Sequence, residues 1–148
     1  MMNDDDRAMM MLEKGIYEAQ EMLEKEQQFT PFALIRYEDG EIERLTNDIE
    51  NPKDAYKALY EEIKLCVEAR PADIVVLLAD TTVPAELGEE GIESAIRVHL
   101  EERSQQHKKI AGRFIYVPYQ LQRLPGEESV HAKLFAPKAV SFPSEFFA

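Results

Sequence analysis

The chain has 148 residues, with 17 Lys and Arg against 29 Asp and Glu, giving a formal charge of −12. That length suits one domain with a core of its own, and 45% hydrophobic with 31% charged residues excludes a disordered or membrane-spanning composition. The longest apolar run, Ile74 to Ala79, has six residues, where a membrane-crossing helix needs roughly 18 or more.

The charge is unevenly placed. Residues 1–74 hold 19 acids and 9 bases, whereas residues 75–148 hold 10 and 8. An acidic surface repels phosphate backbones and anionic membranes, so neither is an expected partner. Lys108, Lys109 and Arg113 form the densest basic stretch and are too few to overturn this. The first six residues are acidic where a secretory signal is basic. The lone cysteine, Cys66, permits no intrachain disulfide and no paired-cysteine metal knuckle. A cytoplasmic setting is the expectation.

Residues 7–28 predict a helix. Met9, Leu12, Ile16, Ala19 and Leu23 fall three and four apart, and the acids before them suit a helix N-terminus. All six methionines lie within the first 22 residues. Met10, Met11 and Met22 widen the stripe, so this face reads either as core or as an adaptable contact surface. Phe32 to Tyr37 and Ile42 to Thr46 predict strands, joined by a hairpin at Glu38-Asp39-Gly40-Glu41. Asn51-Pro52 marks a helix start, and Arg70-Pro71 ends that helix near Ala69. Ala55, Leu59, Ile63 and Cys66 form its inner face.

Ile74 to Ala79 predicts a central strand, apolar on both faces. An acidic loop follows at 85–91. Ser94 to Arg103 alternates: Ile96, Val98 and Leu100 face one way, and Arg97, His99 and Glu101 the other. Lys109 to Tyr119 predicts a further strand with a bulge, and Val130 to Phe135 a short one after a turn at 124–127. The stretch 137–148 reads as an aromatic tail. Phe142, Phe146 and Phe147 are costly to leave in water, so they dock on this chain or on another. The whole predicts one α+β domain. Two helices from the N-terminal half pack on a mixed, largely antiparallel sheet of about five to six strands.

Chemistry-bearing residues are sparse. Asp80, His99, Glu101 and His131 would make an acid–base or oxygen–nitrogen metal set if folding gathers them. Otherwise they are ordinary strand and loop residues. Cys66 sits on an apolar stripe, the usual place of an inert thiol. The six glycines make neither phosphate-binding loop pattern, so no cofactor is expected. Arg36, Arg97, Arg113 and Arg123 would line a basic groove for a small carboxylate or acidic peptide, unless Glu41, Glu43 and Glu101 neutralise them across strands. Two functions follow as expectations. One is a non-enzymatic interaction or accessory protein acting as a homodimer through Met10, Met11, Phe142, Phe146 and Phe147. The other is a small hydrolase or ligand-binding domain using Asp80, His99, Glu101 and His131.

Overall fold

A computed structural model describes residues 3–88, 91–109, 111–123 and 125–147. The predicted places of Met1, Met2, Glu89, Glu90, Ile110, Leu124 and Ala148 lie outside the described residues.

Helix α1 (Asp4–Glu26) begins at Asn3, whose side chain accepts from the Asp6 N–H at 2.8 Å. This is the side-chain capping that an exposed first turn requires. It ends at Gln27, which takes the left-handed conformation with φ 61°. Strands β1 (Phe32–Tyr37) and β2 (Ile42–Leu45) form the hairpin. Only Gly40 has positive φ there, at 91°. Its N–H bonds to the Tyr37 carbonyl, and the Tyr37 N–H to the Glu41 carbonyl. Helix α2 (Pro52–Ala69) starts at Asn51, whose side chain accepts from the N–H groups of Lys53 and Asp54.

Strands β3 (Ala72–Thr82), β4 (Ser94–Glu102), β5 (Gly112–Gln122), β6 (His131–Leu134) and β7 (Lys138–Phe142) follow, with a 3-10 turn at Arg103–Gln105 between β4 and β5. Every pairing among the described residues is antiparallel, so the sheet is not mixed. The order is β2-β1-β3-β4-β5-β6, and β7 also pairs with β5, giving seven strands. The extra strand is β7, drawn from the predicted tail. Its outward residues are polar or exposed, which hides strand periodicity in so short a run. Along the outer edge of β5, β6 occupies residues 119–122 and β7 residues 112–116. The register irregularity falls in β1, between Arg36 and Tyr37, and not in β5 where a bulge was expected.

The sheet separates two cores. On one face, Met11, Ala19 and Leu23 of α1 pack on Leu34, Val76, Leu78, Ile96 and Val98. On the other, Leu59 and Ile63 of α2 pack on Ala33, Ile35, Val75 and Leu77. The apolar run of β3 therefore feeds both cores, as the lack of alternation in it predicted.

Candidate functional site

Alternation along β4 sends Arg97, His99 and Glu101 to the α2 face. There they lie opposite Ala79, Leu77 and Val75 of β3 and Tyr116, Phe114 and Gly112 of β5. Helix α2 packs mainly on β1 and β3 and reaches this part of the face only through Tyr56, under Arg97, and Tyr60, 6.4 Å from the His99 ring. Over His99 and Glu101 the chain end completes the cover. After β7 the backbone bends at Glu145 and Phe146, and Phe146 enters the core at 6% exposure beside Tyr60. His99 and Glu101 are left 1% and 0% exposed. The half-exposed strand expected here is thus closed on both faces, because residues 143–147 act as a lid.

Burial alone would raise the pKa of Glu101, but donors overcome it and hold the carboxyl below its ordinary value. His99 Nε2 lies 2.5 Å from Oε2, and the Ser144 hydroxyl donates to Oε1 at 2.5 Å. The backbone N–H groups of Glu145 and Phe146 donate at 3.0 and 2.9 Å. The imidazole is surrounded by Phe146, Phe142 and Phe114, with ring centroids at 4.6, 5.1 and 5.3 Å. A general base must reach a substrate proton. This pair reaches the tail instead and positions it.

The other predicted members lie elsewhere. Asp80 belongs to the opposite face, where it accepts from the Tyr119 hydroxyl at 2.6 Å, and burial raises its pKa. His131 is exposed on β6 and sits 3.0 Å from Glu127 and 3.8 Å from Glu24. Asp80, His99, Glu101 and His131 are therefore not gathered into one cleft; only His99 and Glu101 touch. Among the described residues, no group of three or more His, Cys, Asp or Glu could hold a metal ion. Cys66 is partly buried on α2, and burial raises its thiol pKa, the setting of an inert sulfur.

The residues nominated for contact also divide. Met11 is fully buried under α1, and Phe146 is buried in its own chain. Packing within one chain takes both out of a partner's reach. Met10, Phe142 and Phe147 remain partly exposed.

The four arginines do not share a groove. Arg36 pairs with Asp73, and Arg113 with Glu102 at 2.7 Å, neither being the glutamates expected. Arg123 is exposed. Arg97 differs: no carboxylate among the described residues lies within ion-pair distance of it. Its guanidinium stands over the rings of Tyr56 and Phe114, 5.0 and 4.8 Å from their centroids. It lines a cleft of about 510 Å³ with Phe29, Lys53, Tyr56, Asp80 and Thr81. A second hollow, about 600 Å³, lies between the end of α2 and the tail. Its arginines are already engaged, Arg70 by Asp39 and Glu41 and Arg103 by Glu38.

The role of Ser144 and of the 145–146 backbone was missed in the sequence. Backbone donors leave no trace in residue type, and the clue available was the cluster Phe142, Phe146 and Phe147, too apolar to stay in water. No protein-family model, curated protein or solved structure matches this chain. What the findings establish is a small α+β domain in which no helix among the described residues is long and apolar enough to cross a membrane.

Proposed function

We propose that the chain acts by contact, as a homodimer joined across the outer edge of β7, in a cytoplasmic setting. The observation that carries this reading is the open edge itself. Among the described residues β7 pairs only with β5, and Val140 at its centre is 45% exposed. An unpaired strand edge presents a row of N–H and C=O groups that templates another strand. A second copy offers the same edge, and antiparallel pairing about a two-fold axis closes it.

Charge supports the choice of edge. β7 lies in the near-neutral half of the chain, whereas β2, the opposite edge, has four residues and lies in the acidic half. The alternative of a hydrolase using Asp80, His99, Glu101 and His131 has less support, since its members are divided between the two faces and a far edge.

Light scattering at high micromolar concentration tests the reading. The expected result is a dimer for the wild type and a monomer for Val140→Asp, which places like charges opposite each other at the axis. A wild-type monomer, or a dimer indifferent to Val140→Asp, contradicts it.

A further inference from the structure

We propose that the cleft beneath Arg97 is a binding site for a small carboxylate carrying an apolar or aromatic body. This goes beyond the homodimer and does not depend on it.

The argument begins with the cation. Arg97 is half-buried on β4, and the chain supplies it no counter-charge among the described residues. Two rings hold it instead, Tyr56 from the first turns of α2 and Phe114 from β5. Its Nε is buried without a hydrogen-bond partner. Burial raises the Tyr56 phenol, and Arg97 beside it pulls the other way. The two rings and the Tyr56 hydroxyl hold the guanidinium in place while leaving its charge unneutralised, which is the preorganised state of a carboxylate receptor.

The acids nearby are turned to phenols and not to Arg97: Asp80, in the cleft wall, accepts from Tyr119, and Glu145 bonds to Tyr60, so both keep their charge and leave the guanidinium unpaired. Lys53 adds a second cation on the rim.

The walls set the rest of the ligand. Phe29, Pro31, Pro52 and Ala79 give apolar surface within a volume typical of small-molecule sites. A phosphate fits less well. The first-turn N–H groups of α2 that would bind it are bonded to the Asn51 side chain, and Pro52 has none. A planar carboxylate matches the planar guanidinium.

The test uses the full chain and three probes: 3-phenylpropionate, its neutral amide, and inorganic phosphate, each titrated while backbone amide resonances are followed. The expected result is saturable shifts for 3-phenylpropionate at residues 53–56, 79–81 and 97, with a Kd of about 1 mM or tighter. The amide and phosphate are expected to bind at least about tenfold more weakly. Arg97→Lys, which keeps the charge but loses the fork, is expected to weaken binding by a similar factor, and Arg97→Gln to abolish it, with the amide spectrum otherwise native. Equal binding of amide or phosphate, undiminished binding by folded Arg97→Gln, or no saturable shift of the wild type overturns the proposal. The probe comparison on the wild type decides the matter even if an Arg97 variant fails to fold.

Discussion

The two faces of the sheet are closed by different means. Over one, the 23-residue α1 lays an apolar stripe on Leu34, Val76 and Val98, and Gln20 and Glu24 add part-buried hydrogen bonds to the Ala132 backbone at the sheet edge. Over the other, the 18-residue α2 packs mainly on β1 and β3, and a short chain end finishes the cover over His99 and Glu101. That end brings backbone N–H groups into a buried place, so it requires an acceptor, and Glu101 supplies it. Apolar packing tolerates substitution if volume is kept, whereas a buried polar network is costly once any member is missing. The α2 face is therefore the more fragile half of the same sheet.

Truncating one residue on each face gives the largest expected effect. Glu101→Ala leaves His99, Ser144 and two tail N–H groups without their acceptor, and is expected to cost about 4 kcal/mol. Leu100→Ala, its neighbour pointing at α1, removes hydrocarbon alone and is expected to cost about 3 kcal/mol. Denaturant unfolding measures both. The sharper distinction is in the tail: Glu101→Ala should release Glu145 and Phe146 to solvent while α1 stays protected, and Leu100→Ala should not. Equal tail protection in the two variants would break the comparison.

A smaller effect is expected from the glycines where each face is closest. A methyl at Gly112 would meet the Phe142 ring at 2.5 Å, under the tail. Gly112→Ala should cost about 2 kcal/mol by forcing the aromatic cluster apart. At Gly15, on α1, it would meet the methyl ends of the buried Leu78 at 3.0 and 3.2 Å, a tight contact that a shift of a few tenths of an ångström relieves. The helix gains about 1 kcal/mol from Ala over Gly, so Gly15→Ala should be near neutral by thermal unfolding.

The smallest effects separate the faces by pH. Glu101 has its folded pKa below the ordinary carboxylate value. Its stabilisation is therefore full above the unfolded pKa of about 4.3 and is lost as pH falls through the lower folded value. Asp80 is raised by burial, so its charge opposes folding above the raised value and that penalty disappears in acid. Asp80→Asn is expected to gain about 0.5 kcal/mol at pH 7 and nothing near pH 3. Glu101→Gln should flatten the acid limb of the stability profile. Parallel pH profiles for the two variants would contradict the assignment.

Much of the scaffold is legible in the sequence, since helix caps, prolines and apolar spacing are local signals. Asn51-Pro52 fixes the start of α2, and the phase of Ile96, Val98 and Leu100 fixes which face β4 turns to α1. The fate of the opposite phase is not local. His99 and Glu101 read as solvent-facing because the segment that covers them lies some forty residues later, in a stretch whose strand β7 is too short and too exposed to alternate; Arg97 is covered by Tyr56, some forty residues earlier. For the same reason the candidate site was legible only in part. His99 and Glu101 are two apart on one strand and had to be neighbours. Asp80 and His131 had no such constraint, and the sheet carried them away.

Native-state hydrogen exchange at the Glu145 and Phe146 amides tests the central claim, that the chain end is a fixed part of the α2 face held by Glu101. Protection of the order seen for β4 amides is the predicted result. Exchange at the rate of an unstructured peptide, with β4 still protected, would contradict it.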